Sequence, residues 1–282
     1  MLKLSAKTPH LAHHFNDIHI PQAAPLQVSH LTYQVQQQTL VDDISFALKR
    51  GECCVVLGPN GAGKSSLLKL ISGEIGQAGH NIRLFGQPRD IWPDGLLAQH
   101  LAILPQHSQL SFAFSAFEVA QLGGLSLPVS QHKIRRIAEQ NMRATDVLHL
   151  AQRAYPSLSG GEKQRVHLAR VLTQLSCANN HGLLILDEPT SALDLAQQHK
   201  VLQLCRQLCQ QGITVLMVLH DLNLAAQYAD RILLLKSGQL LVDGAPKQAL
   251  TAENIEHVYQ YPVKVMSHPE LEHPIIMSKS HH

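Results

Sequence analysis

Nine consecutive residues, Gly58, Pro59, Asn60, Gly61, Ala62, Gly63, Lys64, Ser65 and Ser66, combine glycines with a lysine and two hydroxyls. The first eight fit the spacing GxxxxGK[ST], a loop whose glycines let backbone N–H groups turn inward around phosphate oxygens. Lys64 is of the right type to bridge the β- and γ-phosphates of a nucleotide, and Ser65 to place its hydroxyl on Mg²⁺. The apolar run 53–57 before the loop reads as a buried strand and the stretch 65–72 after it as a helix, whose positive N-terminal end adds to an anion site. This strand–loop–helix context is what the spacing requires.

A second chemical feature is the pair Asp187 and Glu188, which follows the apolar run 183–186. A carboxylate at the carboxyl end of a buried parallel strand points toward a ligand crevice. Asp187 suits Mg²⁺, directly or through water, and Glu188 suits orientation or deprotonation of a water attacking a γ-phosphate. A third is Ser159, Gly160, Gly161 and Glu162, at the start of a helical stretch over 163–172. Ser159 and Glu162 have capping-box spacing. Two glycines between them leave N–H groups bare at a helix N-terminus, a second place for an anion. Two phosphate-seeking ends in one chain suggest a nucleotide sandwiched between two copies.

These groups need an α/β framework. Residues 26–33 and 44–48 read as strands, and 183–186, 213–219 and 231–235 as buried ones. A helix over 195–211 separates two of the buried runs, as in a parallel sheet with crossover helices. From about 117 to 175 the patterns are helical, with no convincing strand, which indicates a helical insertion. Residues 1–24, with His10, His13, His14 and His19, and those from 262 on, with His268, His273, His281 and His282, read as irregular tails.

Composition narrows the classes. The 282 residues are 45% hydrophobic and 16% charged, below the roughly 25% charged residues of an ordinary domain, which disfavours disorder and coiled coils. A net charge of +2 gives no electrostatic case for nucleic-acid binding. No apolar run reaches the roughly 18 residues of a membrane span, and no apolar core follows Lys3, so a soluble chain without a leader is expected. The 5 cysteines contain no CxxC pair, and Cys205 and Cys209 share a helix face; idle thiols in a reducing compartment are expected. The 19 histidines show no fixed metal-ligand spacing, so the count alone does not choose among metal, haem, pH sensing and surface roles.

The phosphate loop, Gln106 after Leu104 and Pro105, the stretch from Leu158 to Glu162, the pair Asp187 and Glu188, the turn Ser191 to Asp194, and His220 occur in the order found in ATP-binding cassette (ABC) ATPases. The chain resembles that family over about residues 26–260. The resemblance implies an α/β P-loop NTPase core, a RecA-like mixed sheet with an antiparallel β subdomain, carrying an inserted all-helical subdomain. The corresponding division is an N-terminal extension at 1–24, an ABC ATPase domain at 25–261 with core segments 25–106 and 176–261 and helical subdomain at about 107–175, and a C-terminal tail at 262–282. It also implies ATP and Mg²⁺ as cofactors, Tyr33 stacking on adenine, Gln106 contacting Mg²⁺ and the attacking water, His220 contacting the γ-phosphate, and Asp194 aligning an opposing subunit.

Finer similarity is to the branch importing iron chelates and cobalamin, and within it to haemin importer ATPases. The residues that carry it include Gly73 and Glu74, His107 and Ser108 after Gln106, Phe112, Phe114 and Phe117, and the stretch His220 to Ala226. One motif set per chain implies a homodimer acting with separate integral membrane permease subunits, and indirectly with a periplasmic substrate-binding protein, at the cytoplasmic face of the bacterial inner membrane. In that family the region of Phe112, Phe114 and Phe117 receives a permease helix, while a core role for the same rings is equally open. An ATPase for ferric siderophore, cobalamin or zinc import is the nearer alternative, and an ATP-switched haem- or metal-binding regulator the more distant one.

Overall fold

The computed structural model describes residues 23–76, 79–106, 114–178, 181–268, 270 and 272–279. The expectations for His10, His13, His14, His19, His107, Phe112, His281 and His282 lie outside them. Along the chain run β1 (Leu26–Val35), β2 (Gln38–Leu48), β3 (Cys53–Leu57), α1 (Lys64–Ser72), β4 (Ile82–Leu84), β5 (Gln87–Pro88), α2 (Asp94–His100) and β6 (Leu101–Leu104). Then come α3 (Ala116–Leu122), α4 (Gln131–Ala144), α5 (Gly160–Leu175), β7 (Leu183–Asp187), α6 (Leu195–Gln210), β8 (Thr214–Val218) and α7 (Leu222–Tyr228). The chain continues through β9 (Arg231–Lys236), β10 (Gln239–Gly244), α8 (Pro246–Ala249), α9 (Ala252–Tyr259), β11 (Val263–Met266) and β12 (Ile275–Ser278).

The central sheet has the order β10-β9-β3-β8-β7-β6. Its strands β9, β3, β8, β7 and β6 are parallel, and β10 closes one edge antiparallel to β9. β3, β7 and β8 are buried at every position, which is why each reads as a continuous apolar run instead of an alternating one. An antiparallel sheet, β2-β1-β4-β5, packs over one face and encloses α1. β1 and β2 instead alternate between buried and exposed residues, as one-sided strands do.

The helical insertion has its own core, with Ala116, Val119, Ala138, Met142, Val147, Leu150, Tyr155 and Leu158. Helix α5 belongs to both cores. Val166 and Ala169 face the insertion, and Leu168, Val171, Leu172 and Leu175 face the central sheet. The insertion is thus not a separate lobe on a tether; one 16-residue helix carries both contacts.

The C-terminal segment corrects the sequence expectation. It is no irregular tail: β11 and β12 pair as an antiparallel hairpin, and Val263 and Ile276 enter the main core. The Asn223 side chain of α7 grips the hairpin backbone. Its Nδ2 donates to Ile276 O at 3.1 Å, and its Oδ1 accepts from Ile276 N at 2.8 Å. Strands of four residues with neighbouring prolines carry too little period to be read locally. The short strands β4, β5 and β6 escape sequence reading for the same reason.

Candidate active site

The phosphate loop, Gln106, Asp187, Glu188 and His220 converge because each follows the carboxyl end of one of four adjacent parallel strands. The loop follows β3, Gln106 follows β6, Asp187 ends β7, and His220 follows β8. This end of an open α/β sheet is where ligand crevices form.

Lys64 curls back into its own loop. Its Nζ donates to Gly58 O at 2.8 Å and Pro59 O at 3.0 Å. Burial pulls its ammonium below the ordinary lysine value, against the opposing fields of Glu188 and Asp187. Gly63 caps α1 with φ 95°, and a Cβ there would sit 2.4 Å from Leu40 O, so both conformation and space demand glycine. Among the described residues no side chain caps α1, which leaves its first N–H groups for a ligand.

Asp187 is buried, and its Oδ1 has no hydrogen-bond partner among the described residues. Burial raises its carboxyl above the ordinary aspartate value, with a hydrogen bond to Ser65 acting the other way. Ser65, Gln106 and Asp187 line one recess of about 210 Å³. An orphaned carboxylate oxygen beside a hydroxyl and a side-chain amide is a hard, all-oxygen donor set, and it fits Mg²⁺.

Glu188 is the meeting point. Its Oε2 accepts from Gln106 Nε2 at 2.8 Å, and its Oε1 lies 2.5 Å from His220 Nε2. Its backbone is left-handed, φ 53°, a conformation costing a non-glycine residue about 1 kcal/mol or more. The carbonyl so turned accepts from Gln164 Nε2 at 2.9 Å and from Ser191 Oγ at 3.1 Å. Sequence reading missed Gln164; its neighbours in the motif carried the visible pattern, and a glutamine inside a helix has no local signature.

Ser159 caps α5 in a full capping box with Glu162: the Ser159 side chain accepts from Glu162 N, and Glu162 Oε2 accepts from Ser159 N at 2.7 Å. Ser159 and Gly160 are exposed. Gly161 has a packing reason of its own, since a Cβ there would approach Ala192 O to 2.8 Å. A cleft of about 440 Å³ runs from Gln106 and Glu188 to Gly160, Gln164 and His167. Gln106 lines this cleft as well as the Asp187 recess.

Other expected residues are not drawn into the cluster. Asp194 is exposed and caps α6, accepting from Gln197 N at 2.9 Å. Tyr33 is half-buried against the core, its ring beside Gly76, beyond the end of α1 opposite the phosphate loop. Phe114 and Phe117 are half-buried against the core of the insertion, with Arg135 over the Phe117 ring at 5.5 Å. Among the described residues no group of three or more His, Cys, Asp or Glu could hold a metal ion. Several histidines instead have local partners: His30 with Asp43, His167 with Tyr155 and His199 with Tyr228.

The sheet, the phosphate loop and the carboxylates define a nucleotide-hydrolysing cassette, and residues 41–191 match the ABC transporter family model. The chain belongs to that family, as its ATP-binding ATPase component. It is 52% identical over 256 residues to the hemin import ATP-binding protein HmuV of Photobacterium damselae subsp. damselae, covering 91% of this chain and 97% of that protein. It is 54% identical over 247 residues to the protein of the same name in Vibrio cholerae, covering 87% and 94%. Among solved structures it resembles an inward-facing metal-chelate type ABC transporter, with 29% identity, TM-score 0.75 and 91% and 98% of the two chains covered. It shares its fold with an ATP-binding cassette seen as a post-hydrolysis dimer with ADP and phosphate, with 24% identity, TM-score 0.69 and 78% and 98% covered. Among the described residues no helix is long and apolar enough to cross a membrane.

Proposed function

We propose that this chain hydrolyses ATP to drive haemin import, as a homodimer seated on separate permease subunits at the cytoplasmic face of the bacterial inner membrane, with a periplasmic binding protein delivering the cargo. The observation that carries the chemistry is the placement of the Glu188 carboxylate between Gln106 and His220, beside the phosphate loop. The cargo rests on identity of about one residue in two to hemin import ATP-binding proteins over most of the chain.

In this reading the uncapped start of α1 and Lys64 hold the phosphates, while Lys64 gives up its bonds to Gly58 O and Pro59 O for phosphate oxygens. Ser65, Asp187 and Gln106 would hold Mg²⁺, whose chemistry there is neutralisation of phosphate charge. Glu188 takes the proton of a water as the water oxygen bonds to the γ-phosphorus, and the bond to the ADP oxygen breaks. His220 sits where it can orient the γ-phosphate. The capped end of α5, with Ser159 and Gly160 exposed and Gly161 half-buried, faces the nucleotide of the second copy, and the exposed Asp194 aligns that copy. The face of Phe114 and Phe117 meets the permease; Tyr33, packed beside Gly76 at the far end of α1 from the phosphate loop, is not assigned the adenine.

The test is reconstitution of the chain with its permease in proteoliposomes, with haemin, a ferric siderophore and cobalamin as cargoes. ATP-dependent uptake of haemin is expected. Uptake of another chelate in its place would overturn the cargo assignment and leave the ATPase reading intact.

A further inference from the structure

The Glu188 carbonyl is held from outside its own strand. Of its side-chain donors, Ser191 belongs to the same turn, but Gln164 belongs to α5. A carbonyl only accepts, so the amide nitrogen of Gln164 must face it. The other end of that amide, Oε1, is buried with no hydrogen-bond partner among the described residues. The amide is therefore oriented by one bond alone, and that bond is the one tie from α5 to a left-handed residue whose carbonyl otherwise accepts only from the Ser191 N–H and hydroxyl of its own turn, among the described residues.

The same turn meets α5 at a second point, where the Ala192 carbonyl closes on Gly161. Both contacts lie in the first turns of α5, just behind the exposed Ser159 and Gly160. Further along, α5 is packed into both cores. A displacement of its N-terminal end is thus passed to the turn that aims the Glu188 carboxylate.

We propose that Gln164 is a positioning residue for Glu188, holding the turn that aims its carboxylate and tying that aim to the place of α5. The proposal rests on the reading of Glu188 as the base. Its chemical content is one directional bond from helix to turn: with it, the carboxylate is set beside Gln106 and His220; without it, the left-handed turn relaxes and the base samples other positions.

The experiment compares the full-length wild type with Gln164→Met, which keeps shape and loses the donor, and Gln164→Glu, which sets a carboxylate against the Glu188 carbonyl. Expected is a fall in kcat of roughly 10- to 100-fold for Gln164→Met, since small misplacements of a reacting group have effects of that order. Gln164→Glu falls further. The Kd for ATP stays within about twofold in the methionine variant, and its ATP-bound dimer accumulates, because the phosphate loop and the end of α5 are untouched. A kcat within about twofold of wild type in Gln164→Met, or a fall matched by an equal loss of ATP affinity, overturns the proposal. Glu188→Gln assayed alongside separates the two readings: wild-type turnover there removes the base assignment, whatever Gln164 does.

Discussion

His220 Nε2 and Glu188 Oε1 lie 2.5 Å apart, while Gln106 Nε2 occupies the other oxygen of the same carboxylate. Both faces of the base are engaged by residues from neighbouring strand ends. A carboxylate has about four acceptor positions, so each Glu188 oxygen keeps one free for a water beside these partners. Glu188→Gln is therefore expected to slow hydrolysis by on the order of 10²–10⁴-fold while nucleotide binding persists. Single-turnover kinetics with a separate binding measurement check this.

Lys64 already holds the shape of its loop through Gly58 O and Pro59 O. Lys64→Ala removes the charge that the phosphates would bind and the hook that shapes the loop. The Kd for ATP is expected to rise roughly 10- to 100-fold, the equivalent of about 1.5–3 kcal/mol for a charged hydrogen bond. Calorimetric titration with ATP decides it, and an unchanged Kd would remove the phosphate-loop assignment.

Ser159 is an exposed cap, so a large basic side chain there meets no core. Ser159→Arg is expected to cost about 1 kcal/mol of stability through the lost cap. It is also expected to abolish ATP-driven dimerisation, because the arginine stands where a second copy would approach. Light scattering with ATP in a Glu188→Gln background reads the dimer, and thermal unfolding reads the cap. Normal dimers would rule out the sandwich.

Asn223 ties the terminal hairpin to α7, the helix that begins just after His220. Asn223→Ala leaves the Ile276 N–H and carbonyl without these partners. A loss of about 1–2 kcal/mol is expected, given partial access to water. Faster hydrogen exchange over β11 and β12 is the accompanying sign. Exchange at the wild-type rate would show that the clamp contributes nothing.

His167 is buried beneath Tyr155, and burial holds its imidazole down to about 4 against an ordinary 6.5. The native state thus keeps a neutral ring where the unfolded chain takes up a proton. This contribution to stability is fully present above pH 6.5 and is lost as pH falls toward 4, by roughly 3 kcal/mol in all. Urea unfolding of wild type and His167→Gln across that range checks it: the difference between them should shrink or change sign as pH falls. A pH-independent difference would falsify this account.

The amino-acid sequence by itself determined the local parts of this protein. A phosphate loop, a capping box and an apolar strand ending in two acids each lie within about ten residues, and their conformations follow from glycine freedom, helix-end hydrogen bonding and burial. β3 and β7 were legible because strands buried on both faces show unbroken apolar runs. The tertiary structure alone decided what meets what. Gln106 and Glu188 are 82 residues apart, and only the strand order places them at one crevice. The hold of Gln164 on the Glu188 carbonyl, the two-sided packing of α5 and the clamp of Asn223 on the hairpin depend on contacts between distant segments, which leave no periodicity or spacing to read. The terminal hairpin shows the reason most plainly: its strands are too short to announce themselves, and they are strands because each has the other and the core to bind.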